Sequence, residues 1–202
     1  MSSKTSSATA IAASQGLTTP ELEQARLYLE QTRNGAVGAT KGLSDAQWKF
    51  KPAPERWSIA ENLEHMVTVQ DRVLGMIKEQ LASAPAAPGD RDCAQVDAIV
   101  IFQFPDRLRK FPAPEFIHPA GRLAPAQAVD LLVQNTARLM ERLESTPDLR
   151  RHALEAPPLK AVSGGAYDTM DGYQWILAAA AHTERHTKQI LEVKADVNFP
   201  AS

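Results

Sequence analysis

Apolar residues recur at three- and four-residue intervals in four separate stretches of the chain, and this pattern limits the possible folds more than any other feature. Side chains at that spacing share one face of an α-helix. The clearest stretch carries one stripe of residues predicted to face the core, namely Asn62, His65, Met66, Val69, Val73 and Met76. No stretch shows the alternation of a half-buried β-strand, and no internal repeat is found. The sequence therefore predicts an all-α fold.

Capping and breaking residues set the bounds of four predicted helices. Thr18 with Glu21, and Ser58 with Glu61, each form a capping box at a helix start. Gly42 is typical of a helix end. The predicted helices cover about residues 18–41, 58–81, 125–145 and 169–194, and a further short helix is expected at residues 94–103.

The stretches between these helices are predicted to be linkers and loops. Residues 43–56 and 147–165 contain prolines and no sustained helical pattern. The connection between the second and third helices spans about residues 83–124, a length typical of a functional loop or of a crossover along a bundle. Residues 1–17, rich in serine and alanine, are expected to be a flexible tail before a single bundle domain at residues 18–202.

Composition argues against several classes of function. The 202 residues carry a net charge of −2, with a pI near 6.2, so the chain has no general attraction to nucleic-acid phosphates. No basic helix face suits an anionic membrane, and no apolar run is long enough to span one.

Cys93 is the single cysteine. It cannot form an intramolecular disulfide, and this favours a reduced, cytoplasmic location.

Two histidines, His182 and His186, lie four residues apart on the core-facing stripe of the predicted fourth helix. They differ by about 40° in direction and about 6 Å in height, so both rings can reach one ion. His65 occupies the corresponding stripe of the second helix. Three neutral imidazoles can hold Zn²⁺ or a similar ion at roughly 2.0–2.1 Å per nitrogen and leave positions for water, as in a catalytic site.

A second interpretation of these histidines stays open. A single histidine on a helix face is more often a hydrogen-bonded core residue than a ligand, and pairs four residues apart also arise by chance. Three imidazoles without a metal would be costly to desolvate together, which favours a metal site. Glu184 does not complete the H-E-x-x-H motif of metalloproteases, because it lies about 200° from His182 and is expected to face solvent.

Two segments carry a resemblance to a known family. The run GLSDAQWKFKPAPERWSIAENLEH, which ends at His65, resembles the segment leading into the first metal-binding histidine of DinB-like proteins. The run AAHTERHTKQ at residues 180–189 resembles the motif that supplies the other two. Residues 106–115 and the following helix are also similar to family members, and the resemblance covers about residues 17–193.

This resemblance implies an up-down-down-up four-helix bundle with a long crossover between helices 2 and 3. It also implies one divalent metal ion, zinc or nickel above all, bound by His65, His182 and His186. Characterised relatives include thiol-dependent S-transferases and isomerases that use bacillithiol or mycothiol, and proteins described as metal-dependent hydrolases. The implied partner is a small-molecule substrate, with a low-molecular-weight thiol as one candidate. No catalytic residue is assigned.

Five further residues are candidates for roles near this site. Glu61 could orient a histidine, although its capping box already explains it. Gln189 and Asn135 could hydrogen-bond to a metal-binding histidine or make ordinary buried polar contacts. His118 and His152 are expected in loops, with His118 able to reach the mouth of the site.

Two classes of function stay open. The first is a metal-dependent transferase or hydrolase in which the ion activates a thiol or water, and the alternative is a non-catalytic metal-binding bundle. The sequence offers no obvious fourth protein ligand, which favours the enzyme. A homodimer is also expected, because the first helix has few large aliphatics, namely Leu22, Leu27 and Leu29, and a partner could cover an exposed aromatic such as Trp48.

Overall fold

The computed structural model describes residues 16–108, 111 and 113–201. The predicted tail at residues 1–17 therefore lies outside the described residues, except for its last two positions. In chain order the elements are α1 (Thr19–Thr40), α2 (Asp45–Lys49), α3 (Ile59–Glu79), α4 (Cys93–Gln103), α5 (Pro125–Ser145), β1 (Ala153–Glu155), α6 (Pro157–Val162), β2 (Thr169–Asp171) and α7 (Gly172–Lys194).

The prediction of an all-α fold is confirmed. Four long helices, α1, α3, α5 and α7, form the body of the molecule, and the capping boxes at Thr18 and Ser58 begin α1 and α3 as expected. The short helix expected near residues 94–103 is α4. None of the helices in the described ranges combines the length and the hydropathy that a membrane span requires.

Two predicted loops contain regular structure that the sequence pattern did not reveal. Residues 43–56 include α2, which Ser44 caps, and residues 147–165 include β1 and α6. The fourth long helix begins at Gly172 rather than near Thr169, because residues 169–171 pair antiparallel with β1 and Asp171 caps the helix. A Cβ atom at position 172 would lie 2.5 Å from a methyl group of Leu81, so close packing requires glycine there.

The long helices pack side by side. α7 packs against α1 and α3, and α5 packs against α3 and α1. Contacts along α1 and α7 advance in the same direction, from Tyr28 with Glu184 to Ala39 with Lys194. α3 runs the other way. Asn62 in its first turn contacts His186 in the middle of α7, whereas Leu81, two residues beyond its end, packs on Gly172 at the start of α7. These directions are compatible with the up-down-down-up order, which stays a prediction.

The apolar core consists of two clusters that follow one another along the bundle. Trp48 is only 9% exposed and belongs to the second cluster, so the expectation that it leaves surface for a partner is wrong. Leu27 is 53% exposed and does not contribute to the buried stripe of α1. The stripe is therefore even thinner than the sequence indicated, with Leu22 and Leu29 as its large aliphatics.

A network centred on Arg150 closes the end of the bundle where α1 and α7 begin. The Arg150 side chain is 8% exposed and pairs with Glu21, Asp97 and Asp171 at 2.5–3.1 Å. Its guanidinium also lies 4.2 Å from the centre of the Tyr173 ring. The network ties the starts of α1 and α7 to α4 and to the loop after α5.

Replacing Arg150 by methionine should lower the free energy of unfolding by about 3–5 kcal/mol, because the carboxylates of Asp97 and Asp171, 13% and 0% exposed, lose a partner inside the fold. Arg151→Met is the matched control, since that side chain is 70% exposed and should matter little. Urea unfolding followed by circular dichroism measures both variants. Equal stability of the two would contradict the role of the network.

Candidate metal centre

Two helices bring together the three histidines that the sequence singled out. His65 projects from α3, whereas His182 and His186 project from α7, and one ring nitrogen from each lies within 4.8 Å of the others. The Nε2 atoms of His65 and His182 are 3.0 Å apart. His65 and His186 are buried, and His182 is half-buried. The cluster therefore forms where the core of the bundle meets a partly open edge.

The carbonyl oxygen of Ile117 fixes the tautomer of His65. Nδ1 of the ring lies 2.8 Å from that oxygen, and because a carbonyl can only accept, Nδ1 carries the proton. In a neutral imidazole Nε2 then keeps its lone pair, and this atom faces His182. Ile117 lies in the connection between α4 and α5, whose described residues (104–108, 111 and 113–124) we call the crossover. The crossover thus sets how His65 presents its ligand atom.

Asn62 orients His186 in the same manner. The amide Oδ1 lies 3.1 Å from His186 Nδ1, while the amide Nδ2 donates to the carbonyl of Ser58 at 2.8 Å. Since the second bond fixes the direction of the amide, Oδ1 accepts and Nδ1 of His186 donates. Nε2 of His186 is left with a lone pair. Such tautomer-fixing bonds are typical of metal-binding histidines.

Burial lowers the pKa of all three histidines from its ordinary value and so favours the neutral form that can bind a metal. Desolvation is the largest cause for His65, His182 and His186 alike. Charge on the neighbouring rings adds to the effect for His182 and His186. The hydrogen bond from His65 to Ile117 acts in the opposite direction and leaves the pKa of His65 lowered.

The donor set fits a divalent ion such as Zn²⁺. Two nitrogens that bind one ion at roughly 2.0–2.1 Å lie no more than about 4 Å apart. The 3.0 Å between His65 and His182 meets this limit, and the 4.8 Å bound on the whole group requires a shift of less than about 1 Å. No carboxylate or thiol joins the group among the described residues, so three protein ligands would leave coordination positions for a substrate.

Trp57 forms one wall of the cluster. Its ring centre lies 4.7 Å from that of His65 and 5.9 Å from that of His186, with which it is nearly parallel. His118 is exposed and meets the edge of Trp57 at 5.9 Å, so it lies at the mouth of the site as the sequence allowed. Local spacing could not predict the position of Trp57, because this residue lies just before the cap of α3 and its contact with His186 comes from another helix.

Glu64 fastens the crossover to α3 directly beside the first histidine. The carboxylate is 6% exposed and accepts from the backbone N–H groups of Ala120, Gly121 and Arg122 at 2.9–3.3 Å. A carboxylate satisfied by several N–H donors forms strong, charge-assisted hydrogen bonds. Glu64 therefore holds the crossover three residues beyond the carbonyl that orients His65. No pattern in the sequence predicts this contact.

Side chains of α7 fasten the other end of the crossover. Arg185, one residue before His186, donates to the carbonyl oxygens of Phe104 and Asp106. Glu192, further along α7, accepts two bonds from Arg107 at 2.9–3.0 Å. The crossover is therefore held to both helices that carry the histidines.

The residues proposed as neighbours of the histidines have other roles in most cases. Glu61 accepts from the backbone of Ser58 and pairs with Lys51 at 2.7 Å, which supports the capping interpretation. Gln189 is half-buried on α7, and the contact to His186 comes from Asn62 instead. The sequence pattern that could have indicated this role is the position of Asn62, three residues before His65 on the same core-facing stripe.

The sequence predicted that Glu184 faces solvent, and the structure corrects this prediction. Glu184 is half-buried, accepts a hydrogen bond from Tyr28 at 2.7 Å and pairs with Lys188 at 2.7 Å. Burial, helped by this carboxylate, raises the pKa of Tyr28. The glutamate therefore links α7 to α1, which is consistent with rejecting the metalloprotease motif.

Two cavities lie at the other end of the bundle. One of about 310 Å³ is bordered by Leu22 and Leu149, and one of about 640 Å³ by Arg91 and Cys93. Neither is lined by a histidine. His182 lies about 15 Å along α7 from the start of that helix, so these cavities are separate from the candidate metal centre.

Comparison with known proteins identifies the family. A profile of the DinB superfamily matches residues 28–190, a span that includes all three histidines. The chain belongs to the DinB superfamily. This DinB protein is similar to the uncharacterized protein YuaE of Bacillus subtilis (strain 168), with 26% identity over 161 residues that cover 78% of this chain and 89% of that relative. No solved structure matches it.

Metal-free DinB protein should lose stability as the pH falls below about 6.5. Because the pKa of each clustered histidine is lower in the fold than in the unfolded chain, the unfolded state binds protons first, and the free energy of unfolding decreases until the folded-state pKa values are reached. Urea unfolding at several pH values measures the decline. His65→Gln should make this decline with pH shallower, whereas His152→Gln should not. The same decline in wild type and both variants would contradict the role of the buried histidines.

Replacing Glu64 by glutamine should weaken metal binding about tenfold, the lower end of the effect seen when groups that orient ligands are changed. The amide offers one oxygen to three N–H donors, so the crossover and the Ile117 carbonyl lose their fixed position. Competition with a chromogenic chelator for Zn²⁺ measures the affinity. Glu141→Gln, at an exposed position of α5, is the control, and equal affinities would rule out the role assigned to Glu64.

Proposed function

We propose that this protein is an enzyme that binds one divalent metal ion, zinc or nickel, through His65, His182 and His186 and acts as a thiol S-transferase or hydrolase. The observation that carries the proposal is the pair of tautomer-fixing hydrogen bonds. Ile117 and Asn62 accept hydrogen bonds from Nδ1–H of His65 and His186, which leaves a lone pair on Nε2 of each ring in a cluster whose ligand atoms lie within 4.8 Å of one another.

The chemistry that a divalent ion supplies in such a site is a lowered pKa for a thiol or water, which provides a nucleophile near neutral pH. The three histidines are neutral, so they leave the positive charge of an ion undiminished. Trp57 and the buried faces of His65 and His186 limit the access of bulk water. Electrostatic interactions are stronger in such surroundings than in water.

The proposed substrate is a small molecule, with a low-molecular-weight thiol as the favoured class. Support comes from the half-buried position of His182 and from His118 at the mouth, which together leave one side of the cluster near the surface. A homodimer is also part of the proposal. Exposed apolar side chains such as Leu27 and Phe102, 53% and 74% exposed, provide surface that a second copy could cover.

A metal-binding bundle without turnover is the second candidate. It is favoured by the crossover, which packs over the histidines and accepts the hydrogen bond from His65 through the carbonyl of Ile117. In this role an ion would brace α3 against α7 through the same three side chains.

Elemental analysis of protein purified without a histidine tag or added metal tests the site. Wild type should carry about one ion per chain and His182→Ala far less, because two imidazoles bind a divalent ion much more weakly than three. His152→Ala, in the loop after α5, is the control and should match wild type. Equal metal content in His182→Ala and wild type would refute the site.

Turnover separates the two candidates once metal occupancy is known. Metal-loaded protein is mixed with a low-molecular-weight thiol and an electrophile, and S-conjugation is compared with that of the metal-free protein. Ester and amide substrates test hydrolysis in the same way. Full occupancy without metal-dependent turnover would favour the non-catalytic bundle.

A further inference from the structure

A band of buried polar side chains crosses the core between the two apolar clusters. On each long helix the clusters are interrupted at the same level, and polar residues occupy the gap. This polar layer consists of Thr32, Gln70, Asn135, Thr136 and Thr183, none of them more than 7% exposed. Because a buried polar group is costly unless it is hydrogen-bonded, each member of the layer needs a partner.

Gln70 has a partner at only one end of its amide. Nε2 lies 3.4 Å from the hydroxyls of both Thr136 and Thr183, and these hydroxyls donate to carbonyls of their own helices. Oε1 is buried without a hydrogen-bond donor in the described part of the chain. Exchanging the oxygen and nitrogen positions of the amide would leave the NH₂ group unpaired instead. Gln70 therefore needs a further hydrogen-bond partner in either orientation of its amide.

Asn135 presents the complementary case. Its Oδ1 accepts from Arg138 at 3.1 Å, and turning this amide over would point two donors at each other. Nδ2 is therefore the free end, and it is buried without an acceptor among the residues described. Arg138 also lies 3.6 Å from Asp71, the neighbour of Gln70, so both unpaired atoms belong to residues at the α3–α5 interface.

We propose that the polar layer is an internal hydration site, in which bound water donates to Gln70 Oε1 and accepts from Asn135 Nδ2. Water meets both requirements, since it donates and accepts, and internal waters typically bind buried groups that the protein leaves unpaired. Thr183 precedes His186 by three residues on the same face of α7, so the hydrated layer adjoins the candidate metal centre. Gln70 and Asn135 do not belong to the histidine cluster, so the hydration site does not depend on metal binding.

A high-resolution crystal structure of the full chain and oxygen-17 relaxation dispersion in solution test the proposal. Wild type should show ordered water about 2.7–3.2 Å from Gln70 Oε1 and at least one long-lived internal water. Gln70→Met, which keeps the length of the side chain, should lose that water and melt close to wild type, since the two direct bonds that it removes are long, at 3.4 Å, and the other bond is water-mediated.

Gln174→Met is the matched control. Gln174 is also fully buried, but its amide donates to Asp97 at 2.9 Å and accepts from the backbone of Asp171 at 3.1 Å. Its loss should lower the Tm by roughly 2–10 °C without changing the number of internal waters at the layer. A dry Gln70 Oε1 in wild type would overturn the proposal even if no variant folded, and so would a Gln70→Met protein that melts well above wild type, as expected when an unpaired buried group is removed.

Discussion

The burial of three neutral imidazoles between α3 and α7 is the constraint on which the rest of this structure depends. An imidazole in the core must donate a hydrogen bond from its N–H group to an acceptor in the protein, because burying an unpaired N–H group is costly. The carbonyl of Ile117 and the amide of Asn62 meet this need for His65 and His186. Both acceptors receive a hydrogen bond from Nδ1–H, so the same bonds that make burial tolerable also leave the Nε2 lone pairs free in a cluster whose ligand atoms lie within 4.8 Å of one another.

This requirement explains why the crossover is held so firmly. Long connections usually lie on the surface and vary in position, but a loop whose carbonyl accepts a hydrogen bond from His65 must stay in one place. Glu64 binds three consecutive backbone N–H groups on one side of Ile117, and Arg185 and Glu192 hold the segment on the other side. These anchors come from the two helices that carry the histidines, so loop, α3 and α7 are positioned together.

The core also reflects a division between stability and polarity. Two apolar clusters supply the hydrophobic burial, and the layer between them contains threonine, glutamine and asparagine on all four long helices. Filling that layer with leucine would bury more apolar surface, at roughly 25 cal/mol per Å². Its polar character therefore reduces the hydrophobic stabilisation of the bundle at the level where the histidines lie. A network around Arg150 secures the opposite end, where α1 and α7 begin.

Local sequence patterns were sufficient to predict the helical class, the starts of α1 and α3 and the shared face of His182 and His186, because capping boxes and the 3.6-residue period act within one turn or two of a single helix. The contacts of Asn62 with His186, 124 residues away, and of Ile117 with His65, 52 residues away, arise only from the packing of the folded chain. Neither contact leaves a periodic trace in the sequence. The position of Trp57, the three N–H bonds to Glu64 and the pairing of β1 with β2 likewise depend on how the loops fold onto the packed helices, since no rule of local spacing relates residues on different elements.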